Sequence, residues 1–90
     1  MDVITFGEVL WDIFEVGEDT YRRELGGAPA NLAVGLARLG VSVAIVGAVG
    51  ADGFGDALAT RLAREGVDIG QLAQLPNRTG LAFEPFVELG

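Results

Sequence analysis

The segment from Gly26 to Gly40, GGAPANLAVGLARLG, carries the residue types best suited to binding a polar ligand. Gly26 and Gly27 permit positive φ and the close approach of a ligand, so they can act as a hinge. The helix predicted after them offers unpaired N–H groups and the positive end of its dipole, and Asn31 in its first turn carries both a donor and an acceptor. This combination suits the hydroxyl groups of a ligand.

A phosphate loop and a simple tight turn are the alternative interpretations of this segment. A phosphate loop needs Lys followed by Ser or Thr at its end, and neither is present; the dinucleotide pattern G-x-G-x-x-G is also absent after the first strand. In the second alternative the glycines only make a turn and Asn31 is a helix-start residue facing water. Spacing alone does not decide between that turn and a hydroxyl-binding site.

Apolar runs and helical spacing predict the elements that position these residues. The predicted elements are strands over Val3 to Phe6 and Val43 to Val46, and helices over Pro29 to Leu39 and about Phe54 to Glu65. Both strand runs are closed by glycine and are typical of strands buried on two faces in a parallel sheet. Gly40 suits the end of the first helix, while Asp52 and Gly66 suit the start and end of the second.

The order strand, helix, strand, helix predicts an α/β, Rossmann-like fold with a parallel sheet. The segment Asp12 to Leu25 interrupts that order and has two β-favouring pieces around Gly17-Glu18-Asp19, which predicts a small β flap projecting from the sheet. A further strand at Thr79 to Phe83, before Pro85, would leave an open sheet edge.

Composition excludes several classes of function. Ninety residues make at most one small domain, and a net charge of −7 with six scattered basic residues argues against nucleic acid as a partner. Because the chain has no Cys and no His, it has no disulfides, no thiolate or imidazole metal site and no Ser/His or Cys/His nucleophile. The acidic N-terminus predicts a cytoplasmic protein, and the longest apolar run, VSVAIVGAVGA, is shorter than the roughly 20 residues of a membrane span.

The segment GGAPANLAVGLARLG followed by VGAVGADGFGDAL resembles the N-terminal signature of the ribokinase (PfkB-type) carbohydrate kinases. The matching positions are Gly26, Gly27, Pro29, Asn31, Ala33, Gly40 and Gly50. Within the family the chain is most similar to fructokinases, whose opening strand resembles ITFGEVLWD and whose later segment resembles Arg78 to Phe83. The resemblance weakens after Phe83, where Pro85 interrupts the strand. It implies a ribokinase-type parallel sheet with the flap, over about residues 12–25, as a lid.

The resemblance also implies roles for individual residues. Asp12 matches a carboxylate that accepts hydrogen bonds from sugar hydroxyls, and Asn31 matches a second sugar contact. Gly26 and Gly27 match the di-glycine hinge through which the lid closes. For Asp52 and the glycines that follow it, a helix cap and a close approach of helix to strand are favoured over ligand contact. The role of Glu8, after the first strand, stays open.

The family's Gly-Ala-Gly-Asp motif, whose Asp is the base and whose N–H groups form the anion hole, is missing from this sequence. Catalytic, nucleotide-binding and metal-binding residues are therefore expected beyond residue 90. The resemblance implies ATP and Mg²⁺ as cofactors of the full-length enzyme and none bound by this fragment. Residues 1–90 are thus expected to be the incomplete N-terminal part of a ribokinase-like sugar kinase domain.

Two functions follow from this resemblance. The first is the sugar-binding portion of an ATP-dependent, fructokinase-like kinase, with ribose, 2-keto-3-deoxygluconate or a nucleoside as alternative substrates. The second is a non-catalytic fragment that at most binds sugar or self-associates. The expected partners are a small sugar and, in the full-length protein, ATP; neither nucleic acid nor a membrane is expected. The side chains of Trp11, Phe14 and Tyr21 are expected to pack the flap or to form a homodimer through it, and not to act as stacking platforms for a ligand.

Overall fold

A computed structural model of the chain describes residues 2–84, which form six strands and two helices. In chain order these are β1 (Val3–Phe6), β2 (Leu10–Gly17), β3 (Thr20–Gly26), α1 (Ala28–Arg38), β4 (Val43–Gly50), α2 (Gly53–Arg64), β5 (Leu72–Leu75) and β6 (Gly80–Glu84). The predicted α/β class is confirmed, and both helices lie within one residue of their expected bounds. Neither helix of this described part has the length and apolar character to cross a membrane.

The first sheet is parallel and has the order β1-β4-β5. Because α1 and α2 connect successive neighbours in the same direction, right-handed crossovers place both helices on one face of the sheet. There, Arg38 at the end of α1 donates two hydrogen bonds of 2.8 Å to Glu65, which follows α2. Ile45 of β4 and Leu58 of α2 are fully buried between the sheet and the helices. The opposite face is left open at β1, where Phe6 is 78% exposed.

The second sheet has the order β3-β2-β6 and is called the lid sheet below. Its β2 and β3 form the predicted flap as an antiparallel hairpin, which begins at Leu10, before the expected Asp12. Asp19 closes the turn at φ 58°, a left-handed conformation that aspartate tolerates better than most residues. Asp12 therefore lies within β2, a strand of the lid sheet.

The strand expected at Thr79 to Phe83 belongs to the lid sheet and not to the core sheet. It forms β6, which pairs with β2 in parallel. The reason lies just before it, where the N–H and hydroxyl of Thr79 donate to the carboxylate of Asp52 at 2.9 and 2.6 Å. These bonds fix the chain at the start of α2 and direct it along β2. β6 is described as far as Glu84, and the break expected at Pro85 lies outside the described residues.

Two further differences concern the core sheet. β4 continues to Gly50, although the apolar run predicted a strand that stopped before Gly47. β5 was not predicted at all, because the segment LAQL has only one half-buried residue, Leu72, and no clear alternation. It becomes a strand by pairing with β4, so a tertiary contact decides its conformation.

Candidate functional site

Strand register divides the lid sheet into two faces. Asp12 pairs with Glu24 of β3 and with Ala82 of β6, so these residues lie side by side on the face called the front. Their neighbours on the front include Gly26 and Gly80, which have no side chain. Gly80 and Ala82 therefore leave the β6 side of Asp12 without a large side chain.

The carboxylate of Asp12 lies against the main chain of Gly26. A Cβ at Gly26 would be 2.8 Å from Asp12 Oδ2 and would also collide with the side chain of Leu10. No hydrogen bond or ion pair from residues 2–84 engages the Asp12 carboxylate, whereas its neighbour Glu24 forms an ion pair with Arg22 at 3.1 Å. Asp12 thus keeps its full capacity to accept hydrogen bonds from a ligand.

The amide of Asn31 approaches the same segment of main chain. Its Nδ2 donates to the carbonyl oxygens of Leu25 and Gly27, each at 3.2 Å. These carbonyls flank Gly26, the residue that Asp12 contacts. The amide nitrogen is therefore occupied by protein, which leaves Asn31 Oδ1 as the atom that can accept a hydrogen bond. The helix-start interpretation thus accounts for the nitrogen of the amide, and the role of its oxygen in hydroxyl binding stays a prediction.

Gly27 requires its glycine for two separate reasons. Its φ is 93°, and a Cβ there would collide with the carbonyl oxygen of Glu8. Gly27 is the N-cap of α1 and offers no side chain as a cap, so within residues 2–84 no side chain accepts from the N–H groups of the first turn. The side chain of Glu8 is exposed, and its carbonyl oxygen lies against Gly27. The two glycines join the lid to α1 at a point of close packing.

Asp52 acts as a helix cap, as the sequence predicts. Its Oδ1 accepts from the N–H of Gly55 at 2.7 Å, and a Cβ at Gly55 would collide with the carbonyl of Gly50, which is the expected close approach of helix to strand. The hydrogen bond from the hydroxyl of Thr79 is the main cause that lowers the pKa of Asp52. Sequence reasoning missed this role of Thr79, although its position directly after the Pro76-Asn77-Arg78 turn is a signal for a residue that anchors a loop.

The chemistry available here is hydrogen bonding to a polar ligand. Within residues 2–84, no group of three or more His, Cys, Asp or Glu side chains is placed to hold a metal ion. The sequence also lacks the Lys and Ser/Thr of a phosphate loop. The residues around Gly26 therefore offer acceptors to hydroxyl groups, and residues 2–84 contain neither a metal-binding cluster of these side chains nor a phosphate loop.

Comparison with known proteins gives a family match over nearly the whole chain. The model of the pfkB family carbohydrate kinases matches residues 2–85. The 5-dehydro-2-deoxygluconokinase of Clostridium beijerinckii is 36% identical over 92 residues, which are 92% of this chain and 27% of that protein.

Solved structures give the same result. The fructokinase of Vibrio cholerae in its fructose, ADP and calcium ion bound form superposes with a TM-score of 0.86 at 38% identity, over 90% of this chain and 27% of that one. An uncharacterized sugar kinase of Pyrococcus horikoshii in complex with ATP superposes with a TM-score of 0.86 at 34% identity, over 98% of this chain and 32% of that one. The chain spans less than a third of the length of each of these proteins.

Proposed function

The chain belongs to the pfkB family of carbohydrate kinases, and on that basis we propose that it is the sugar-binding portion of an ATP-dependent carbohydrate kinase. The ribokinase-type fold implied by the sequence is confirmed by the superposition on sugar kinases. In the proposal, residues 1–90 are the N-terminal part of the kinase domain and the hairpin of β2 and β3 is its lid. The remainder of the full-length protein supplies the base, the anion hole and the sites for ATP and Mg²⁺.

The observation that carries this proposal is the approach of Asp12 and Asn31 to one short segment, Leu25 to Gly27, from two sides. Asp12 offers a charged acceptor, and Asn31 offers a neutral one because its nitrogen is already bound. Neighbouring hydroxyls of a sugar are donors that can satisfy both oxygens. Hydrogen bonds to the carboxylate are charge-assisted and are therefore the stronger contacts.

Gly26 and Gly27 are the proposed hinge of the lid. Both lie at the junction of β3 and α1, and each lacks the space for a side chain. Rotation there would move the front face of the lid, and Asp12 with it, over the sugar. Closure of this kind excludes water from a phosphoryl transfer and protects the nucleotide from hydrolysis.

Fructose is the first substrate to test, because the Vibrio cholerae relative is a fructokinase crystallised with fructose. 5-Dehydro-2-deoxygluconate is the second, after the name of the Clostridium relative. Ribose, 2-keto-3-deoxygluconate and a nucleoside complete the panel. The two acceptors of the site suit any of these polyols, so the substrate must be identified by assay.

The test is ADP release by this chain and by a chain extended through a Gly-Ala-Gly-Asp motif in the following reading frame. The chain alone should be inactive, because each missing anion-hole donor costs on the order of a hundredfold or more. In the extended chain, Asp12→Asn should lower kcat/KM for the sugar by about tenfold or more, since a charged hydrogen bond contributes about 1.5–3 kcal/mol.

Glu15→Gln is the matched control, since it removes a carboxylate from the same strand but from the opposite face. Unchanged kcat and KM in Asp12→Asn would contradict the role given to Asp12. Turnover by the ninety-residue chain, after rigorous removal of host kinases, would contradict the proposed location of the chemistry. A stop codon after residue 90 would favour the non-catalytic alternative.

A homodimer through the lid is the proposed protein partner. The face opposite Asp12, called the back, exposes Tyr21 by 59% and Phe83 by 71% around a cavity of about 450 Å³ that Ile13 and Leu81 also line. Phe14 lies on the front face, beside Asp12, so it cannot join this surface.

Trp11 is 2% exposed and donates its indole N–H to the carbonyl of Phe54 at 2.9 Å, which makes it a packing residue between lid and α2.

A further inference from the structure

Three of the six basic residues of this acidic chain line one cavity behind the lid. The cavity has a volume of about 290 Å³, and Arg23, Arg61 and Arg64 contribute to its wall. The chain contains no lysine, and its net charge is −7. Half of the positively charged side chains therefore lie at one small concave site. Arginines spread evenly over the surface of the chain would not be grouped in this way.

The lid and α2 build this cavity together. From the lid come Trp11 and Arg23, whose guanidinium lies 4.6 Å from the centre of the indole ring. From α2 come Thr60 and Arg64, which are four residues apart and so share one face of the helix. The stacked arginine is held in place by the ring, which reduces the conformational freedom it loses when it binds a ligand.

The positive charge of the cavity is only partly neutralised. Arg61 contacts Glu65 at 3.3 Å, but that carboxylate is already engaged by two hydrogen bonds of 2.8 Å from Arg38. Arg64 forms no ion pair with any residue of the described part. Among the residues that the structure describes, Asp56 alone contributes a carboxylate to the wall.

That carboxylate is itself occupied, because Asp56 Oδ1 accepts a 2.6 Å hydrogen bond from Nε2 of Gln74. The cavity thus carries three guanidinium groups against a single carboxylate that has a partner of its own. An anion entering it would meet unsatisfied donors from both the lid and α2.

We propose that this cavity binds a phosphate group, either inorganic phosphate or the phosphoryl group of a small phosphorylated metabolite. Guanidinium groups match the geometry of phosphate oxygens through paired N–H donors, and the hydroxyl of Thr60 adds another donor. A volume of about 290 Å³ is at the small end of ligand pockets, which suits such an anion. A polyanion such as nucleic acid is disfavoured by the net charge of −7.

The site is separate from the proposed sugar site, because Arg23 and Asp12 lie on opposite faces of the lid. Since the cavity wall comes from both the lid and α2, a bound phosphate would hold the lid sheet against the helix. The anion would thereby act on the lid from behind, without contact with the sugar.

The experiment uses Trp11, the chain's single tryptophan, as its reporter. The chain is titrated with inorganic phosphate and, separately, with glucose 6-phosphate, at an ionic strength held constant with chloride. Fluorescence and calorimetry should both give saturable binding. Arg64→Gln should weaken it by about tenfold or more, which corresponds to the loss of one charge-assisted hydrogen bond. Arg78→Gln, which removes the same charge outside the cavity, should leave it unchanged.

Arg64→Lys keeps the positive charge but removes the paired N–H donors of the guanidinium. We expect its affinity for phosphate to lie between that of the unaltered chain and that of Arg64→Gln. Circular dichroism checks that each variant is folded. Tighter binding of glucose 6-phosphate would identify a phosphorylated metabolite as the ligand, and equal binding would identify phosphate itself. The absence of saturable heat, or equal weakening by Arg64→Gln and Arg78→Gln, would overturn the proposal, because only general screening would remain.

Discussion

Gly27→Ala should destabilise the chain strongly, because the new methyl group meets two obstacles at the junction of lid and helix. The φ of 93° lies in the region that disfavours a Cβ, at a cost of about 1–2 kcal/mol. The methyl would also collide with the carbonyl oxygen of Glu8, and relieving an overlap by moving main chain costs about 1–3 kcal/mol. Together these give a loss of about 2–5 kcal/mol in the free energy of unfolding.

Urea unfolding, followed by circular dichroism and by the fluorescence of Trp11, measures this loss. Gly35→Ala is the matched control, since it makes the same change within α1 at a position where a Cβ meets no atom within 4 Å. Alanine is the better helix former, so the control should be stabilised by up to about 1 kcal/mol. The two variants should therefore shift the urea midpoint in opposite directions.

An unchanged urea midpoint for Gly27→Ala would refute this reasoning, because it would mean that the junction accepts a side chain without strain. Equal destabilisation by both variants would also refute it, since the cause would then be a property of α1 as a whole. The result matters for function, because a hinge that tolerates any residue would not depend on its glycines.

Three further predictions concern acid stability, the tie between lid and core, and self-association. Hydrogen bonds from Arg38 lower the pKa of Glu65 from 4.5 to about 2. The ionised carboxylate therefore stabilises the folded chain fully above pH 4.5, and this stabilisation is lost as the pH falls toward 2. In Glu65→Gln the urea midpoint should fall less steeply over that range. Thr79→Val should lower the free energy of unfolding by about 1–3 kcal/mol, because the buried N–H of Gly50 loses the hydroxyl that accepts it at 2.9 Å, and an undiminished urea midpoint would contradict this. The chain should self-associate through the back of the lid, where Tyr21 and Phe83 are exposed. Phe83→Glu should shift its sedimentation toward that of a monomer, and a monodisperse monomer of the unaltered chain at high concentration would contradict the dimer.

The local elements could be predicted because their signals are local. The strand at Val3 to Phe6 was predicted with the bounds it has, since a short β-branched run closed by glycine needs no distant partner to be recognised. The cap at Asp52 was also predictable, because capping is a matter of a few adjacent residues. The positions of Asp12 and Asn31 in the candidate site came from the family resemblance, and their roles in sugar binding stay predictions.

The pairing of distant segments could not be predicted in the same way. β5 has almost no pattern of its own, and β6 could have extended either sheet. Which residues share a face of the lid sheet depends on the register between β2 and β3. A bulge between Glu15 and Gly17 shifts that register by one residue. Because of this shift Phe14 and Tyr21, the flap aromatics expected to act together, lie on opposite faces. A shift of one residue exchanges the two faces of a strand.

The sequence by itself determined the α/β order, the hairpin, the caps and the family, because periodicity, glycine positions and a dense local motif are properties of neighbouring residues. The tertiary structure alone decided which face of the lid carries Asp12, which half of the Asn31 amide is free, and that Arg23 meets Arg64 in one cavity. Those facts depend on contacts between residues far apart in the chain, which form only when strand register and helix packing are fixed together.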